Sequence, residues 1–197
     1  MRFVDRPSSG ARSAASQGYT LLELVVVVSI VSVLAAVALP SFGPSQQDRL
    51  DLAASRVAEA LRFARTEAIR TGEVHAVEVL FDTEQLIVSK ADMTQPTPYP
   101  PATTTDPTSI LIDPLSKQPF DIRLAGENAI AGIDVLTQPF SYAVGDRRVV
   151  LFDAQGMPFN KAGGVLQKLD DGLVELALGQ QRRNVRVAPI TGRVTLE

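Results

Sequence analysis

Apolar residues in this chain follow three rhythms. From Tyr19 to Leu39 nearly every position is apolar, and Glu23 is the single charge in the run. Such a run has no polar face. As a helix it would be roughly 31 Å long at about 1.5 Å per residue, enough to cross a bilayer core. Pro40, Gly43 and Pro44 then interrupt it, giving a kink or a short break. Ser45 can cap a second helix, with Asp48 in its first turn complementing the helix dipole. In that second stretch Leu50, Ala53, Ala54, Val57, Leu61, Ala64 and Ala68 recur at 3.6-residue spacing, and the stripe ends near Gly72. Asp51, Arg56, Glu59, Arg62 and Arg65 mostly lie away from it. The stripe is Ala-rich, so whatever packs on it approaches closely, and a sheet is the natural partner.

Past Gly72 the period shortens to two. Residues 74–81 and 85–90 alternate around Asp82-Thr83-Glu84, which predicts a hairpin. Residues 92–108, DMTQPTPYPPATTTDPT, are rich in Pro and Thr and predict an exposed loop. Short strands are expected at 121–124, 148–152, 173–178, 184–187 and 193–196, with turns at Gly156, Gly163-Gly164 and Gly192. No internal repeat is present. The fold class is therefore α+β: a long N-terminal α-helix, membrane-spanning in its first half and amphipathic in its second, packed on a C-terminal antiparallel β-sheet domain.

The 197 residues suit one globular domain plus an appendage, and 45% hydrophobic with 21% charged residues is ordinary for a folded chain. The absence of cysteine excludes disulfides, thiolate metal sites, cysteine nucleophiles and lipoprotein acylation. With one histidine, His75, there is little room for a His-rich metal site. No catalytic constellation emerges, so no enzyme activity, metal or cofactor is expected. His75 sits on an expected strand near Glu73 and Glu78, and the chain has no G-x-S-x-G elbow to supply a nucleophile; its expected role is structural or surface. Asp170-Asp171 reads as a turn. Gly163-Gly164 lacks the lysine and helix of a phosphate loop.

Residues 1–18, MRFVDRPSSGARSAASQG, carry Arg2, Arg6 and Arg12 against Asp5. Positive residues ahead of the apolar block keep the N-terminus cytoplasmic and send the rest across. Three readings compete. A signal peptide cut after Ala36-Val37-Ala38 satisfies the small-x-small rule, but its polar region is long, Glu23 stands at the entrance of the block, and Pro40 lies just past the cut. A plain membrane anchor explains the length but neither Gly18 nor Glu23.

The third reading explains all of these. Gly18-Tyr19-Thr20-Leu21-Leu22-Glu23 resembles the G-[F/Y]-T-L-[L/I]-E signature at which prepilin peptidases cut type IV prepilins and secretion pseudopilins. The resemblance implies a processing site between Gly18 and Tyr19, with N-methylation of Tyr19. It makes Glu23 the fifth mature residue and Pro40 the twenty-second, both assembly positions in that family. Glu23 would pair with the first-residue amine of a neighbouring subunit. A carboxylate at a membrane helix centre costs roughly 2.5–3.5 kcal/mol and needs a partner, and stripping one partner from a buried pair is worse than never having it.

Further on, ALRFARTEAIRTGEVHAVEV (60–79) resembles the "AR-x-EAI-x-x-G" segment of the GspH/FimT group of minor pseudopilins. VVLFDAQGMPF (149–159) and NVRVAPITGRVTLE (184–197) resemble that group's "F-x-x-x-G" turn and terminal "GR-V" strand. The 92–140 stretch is not distinctive and resembles a variable insertion. The family implies a leader at 1–18, a transmembrane and polymerisation helix at 19–40, its amphipathic continuation at 41–72 and a globular β-rich periplasmic domain at 73–197. It implies a minor pseudopilin of type II secretion, single-pass in the bacterial inner membrane. Its partners would be the major and other minor pseudopilins, the prepilin peptidase and the inner-membrane assembly platform.

One alternative is a FimT-like minor pilin of type IV pili that contributes to DNA binding and uptake. The basic cluster Arg182, Arg183, Arg186 and Arg193 is the candidate DNA contact. FimT-like proteins carry a terminal G-R-x-R, whereas this chain reads Gly192-Arg193-Val194-Thr195 and lacks the second Arg. Removing residues 1–18 takes away three Arg and one Asp, so the formal charge moves from −3 to −5, which repels DNA at long range. The favoured reading of the cluster is a solvated strand edge guarded by charge. A soluble secreted protein freed at Ala38 is the other alternative.

Overall fold

The computed structural model describes residues 19–38, 45–97, 109–124, 126 and 130–197. The chain divides into two compact units, Met1–Gly43 and Pro44–Glu197. The first holds helix α1 (Leu21–Ala38). At about 1.5 Å per residue its 18 residues span roughly 27 Å. Among the described residues no helix is long and apolar enough to cross a membrane. Gly18, Pro40, Gly43 and Pro44 lie outside the described residues.

The second unit is an α+β domain built on helix α2 (Gln46–Thr71). This helix opens with its own cap. Ser45 Oγ accepts from the Asp48 amide at 3.1 Å, and the Asp48 carboxylate accepts from the Ser45 amide at 3.1 Å. That reciprocal box satisfies two otherwise orphaned donors and starts α2 afresh. At the other end Gly72 takes the left-handed conformation (φ 73) and its amide donates to Ala68 O at 2.9 Å. All seven residues of the expected stripe are buried, together with Ala58 and Ala60. Six of these nine are alanines, which lets the helix axis approach the sheet.

The strands are β1 (His75–Leu80), β2 (Gln85–Lys90), β3 (Asp121–Arg123), β4 (Asp134–Val135), β5 (Phe140–Tyr142), β6 (Gly145–Arg147), β7 (Val149–Phe152), β8 (Pro158–Ala162), β9 (Val165–Leu178), β10 (Gln181–Val187) and β11 (Val194–Leu196). All pairings among them are antiparallel, in the order β11-β10-β9-β8-β7-β1-β2-β3. The expected β1–β2 hairpin forms with His75 opposite Lys90 and Leu80 opposite Gln85. One face of β1, β2 and β7 turns Val77, Val79, Leu86, Val88, Val150 and Phe152 into the core under α2. Phe63 of α2 stacks on Phe120, ring centroids 5.1 Å apart.

β9, at 14 residues, is more than twice the length expected and joins two halves of the sheet. Its first residues pair with β8 and its last seven with β10. Asp170-Asp171 is therefore not a turn. Ser141 lies opposite Asp171 while Tyr142 lies opposite Leu169, so Asp170 is the extra residue of a bulge. A bulge lets the strand continue through two adjacent aspartates, both of which stay exposed.

Candidate assembly helix and basic cluster

α1 is capped by Thr20, whose hydroxyl accepts from the Glu23 amide at 3.2 Å. Glu23 thus stands in the first turn, where its charge complements the helix dipole. Ser29 and Ser32 donate to Val25 O and Val28 O, each at 2.7 Å, so both hydroxyls are satisfied within the helix. Apolar exposure is uniform, from 48% at Val26 to 83% at Leu21, with no polar side on which to end the apolar surface. Among the described residues no ion pair reaches Glu23. Tyr19 is exposed beside it.

The four arginines of the basic cluster do not act as one cationic patch. Arg182 Nε faces Glu175 at 3.7 Å, and Arg183 Nε donates to Asp51 on α2. Arg186 reaches Asp171 at 2.8 Å and Glu197 at 3.1 Å. These acids sit on neighbouring elements, so three of the four charges are locally offset. Arg193 is exposed just ahead of β11. β10 is not an edge strand over its whole length, since residues 185–187 pair with both β9 and β11; the edge reading applies to β11.

His75 is 3% exposed, and its Nδ1 lies 3.0 Å from Glu73 O. Burial pushes its imidazolium below the ordinary histidine range, with Glu67 and Glu73 pulling the other way. Glu78 is buried on β1 beside Arg148 Nε at 2.9 Å, and burial raises its carboxyl despite that partner. No group of three or more His, Cys, Asp or Glu suited to a metal ion occurs among the described residues.

Three arginines on α2 have roles that the helical pattern hides. Arg62 Nη2 donates to Val194 O at 3.1 Å, Arg65 Nε donates to Gly156 O at 3.2 Å and Thr191 O at 3.1 Å, and Arg49 donates to Ala131 O. The three segments that carry the resemblance, around Arg65, Gly156 and Gly192, thus meet in space.

Residues 13–39 match the family described as "Prokaryotic N-terminal methylation motif". The chain is also similar to two kinds of solved structure. The type IV minor pilin FimU of Pseudomonas aeruginosa superimposes with TM-score 0.44 at 14% identity, covering 77% of this chain and 90% of FimU. The minor pseudopilin EpsH from the type II secretion system of Vibrio cholerae gives TM-score 0.47 at 13% identity, covering 76% of this chain and 97% of EpsH. A second EpsH structure gives TM-score 0.47 and covers 77% of this chain and 95% of EpsH. No curated protein matches the chain. The family match is confined to the N-terminal segment, residues 13–39.

Proposed function

We propose that this protein is a minor pseudopilin of a type II secretion system, a structural subunit with no catalytic role. The observation that carries the proposal is α1: a helix apolar on every side, with one carboxylate, Glu23, in its first turn and a peptidase signature just before it. Such a surface is stable only in lipid or against other apolar helices. In the precursor the apolar run of residues 19–39 would sit in the inner membrane, with the N-terminus cytoplasmic and the sheet domain periplasmic. After cleavage behind Gly18 the run would leave lipid for the core of a filament. There Glu23 would meet the methylated amine of Tyr19 on the next subunit, as charge in an apolar core requires. Pro40, by the same resemblance, would be the second assembly position.

The secretion reading is preferred over the pilus on the arginine cluster. Three of its four cations already face carboxylates, and position 195 is Thr. Deletion of the gene tests this. Lost exoprotein secretion with intact twitching and DNA uptake supports the proposal; intact secretion with lost motility or uptake moves the protein to a type IV pilus. Mass analysis of the mature N-terminus is the companion test. Tyr19 with one added methyl group supports assembly, whereas Leu39 identifies a soluble secreted protein. Glu23→Gln is expected to be cleaved normally yet to fall out of sheared filaments.

A further inference from the structure

An Ala-rich helix face grips a sheet closely but holds position along its axis poorly, because alanines leave shallow ridges. On α2 a slip by one turn would put Ala54, Ala60 and Ala64 in the places of Ala58, Ala64 and Ala68, so half of the alanine contacts would be restored unchanged. What distinguishes the observed position is the arginines. Arg49 and Arg65 are 16 positions apart, about 24 Å of helix, with Arg62 between them. Each donates to a main-chain carbonyl fixed in the sheet domain, at Ala131, Val194, and both Gly156 and Thr191. A one-turn slip moves the donors about 5.4 Å from these acceptors. It also places an arginine in the core: Arg49 at the site of Ala53 in one direction, Arg62 at the site of Ala58 in the other. Both sites are fully buried, and an unpaired cation there is strongly disfavoured.

We propose that Arg49, Arg62 and Arg65 form an axial register lock between α2 and the sheet, and that Arg65 is its keystone because it holds two turns at once. The Gly192-Arg193 turn then belongs to this lock and is not a ligand contact. Gly156 and Gly192 are required because their turns stack under the Arg65 side chain, with Arg65 Nε 3.0 Å and 3.1 Å from where a Cβ would stand. The lock does not rest on the assembly reading: it concerns how the domain closes, whatever filament it joins.

The test is hydrogen exchange on the full chain in detergent, comparing wild type with Arg65→Met, which keeps the apolar stem and removes the donors. The bonds removed are made by a charged donor, so amides of the 153–157 turn and of residues 188–196 should exchange at least about ten-fold faster. Those of the β1–β2 hairpin should not change. Uniform acceleration over the whole domain, or none anywhere, overturns the lock. Arg65→Lys keeps the charge but carries its donors at the end of a flexible stem and has none at the Nε position that the two carbonyls share. It should restore protection at one of the two turns at most, and full restoration at both would show that charge alone suffices and would overturn the keystone role.

Discussion

A Cβ added to Gly192 would lie 2.3 Å from the carbonyl oxygen of Gly156. Both residues have positive φ, 62° and 75°, and they belong to turns 36 residues apart that rest directly on each other. Gly192→Ala therefore carries two penalties: about 1–2 kcal/mol for a side chain in the left-handed region and about 1–3 kcal/mol for forcing the turns apart. Gly163 has a similar φ, 58°, with no atom within 4 Å of its would-be Cβ. Gly163→Ala should show the first penalty alone. Denaturant unfolding of the two variants should separate them, with Gly192→Ala the less stable by about 1–3 kcal/mol.

Close approach of α2 to the sheet leads to a second expectation. Ala64 is fully buried in the core cluster that includes Val150 and Phe152. Ala64→Leu adds three carbons where neighbours already touch, so the helix must lift or the side chains must leave their rotamers. Thermal unfolding should show a loss of about 1–3 kcal/mol. Thr66→Leu, on the exposed face of the same helix, should change stability by less than about 0.5 kcal/mol.

How far the sequence reached follows from the kind of element. α2 was legible because a 3.6-residue stripe, a capping Ser45 and a terminal Gly72 all agree, and the hairpin 75–90 because a clean alternation brackets a polar turn. β4, β5, β6 and β8 were not expected: they are two to five residues long, and β8 begins at Pro158, so no periodicity accumulates. The first half of β9 runs as an arm exposed along most of its length and therefore lacks an inward face to reveal it. Arg65 lies off the apolar stripe, so the helical spacing alone assigns it no partner. Its stem lies along the domain while its head reaches two carbonyls, and a helical wheel does not show that reach. The separate F-x-x-x-G and G-R landmarks were the available clue, since two glycines needing tight turns must have something packed against them.

The basic cluster makes its own expectation. Arg182, Arg183 and Arg186 face Glu175, Asp51, Asp171 and Glu197, so phosphate would have to displace these carboxylates. Fluorescence anisotropy with double-stranded DNA at 150 mM salt should show binding no tighter than the roughly 10⁻⁴–10⁻⁶ M of non-specific contact. Neutralising the acids together, by Asp51→Asn, Asp171→Asn, Glu175→Gln and Glu197→Gln, should strengthen binding and steepen its dependence on salt. Tight wild-type binding that vanishes in Arg193→Ala would instead favour the pilus reading.

His75 gives the domain a dependence on acid. Its neutral ring is buried at the start of β1, opposite Phe152 and Lys90, with Glu67 and Glu73 nearby. Because its folded value is lowered from an unfolded value near about 6.5, the folded state holds fewer protons on this ring. Its contribution to stability is complete above that unfolded value and is lost as pH falls through the lowered folded one. Glu78 has the opposite sense. Its carboxyl is raised by burial, so its contribution is present at low pH and fades as pH rises through the folded value. As the pH falls the two groups act in opposite senses, the histidine toward loss of stability and Glu78 toward gain, and the histidine's share is the part that a non-titrating residue at position 75 removes. His75→Asn keeps a donor near the position of Nδ1 but cannot titrate. Melting temperatures measured from pH 7.5 to 5 should fall for the wild type and stay flatter for His75→Asn, with the gap between the two narrowing as the pH drops. A parallel fall in both proteins would place the acid sensitivity elsewhere in the domain.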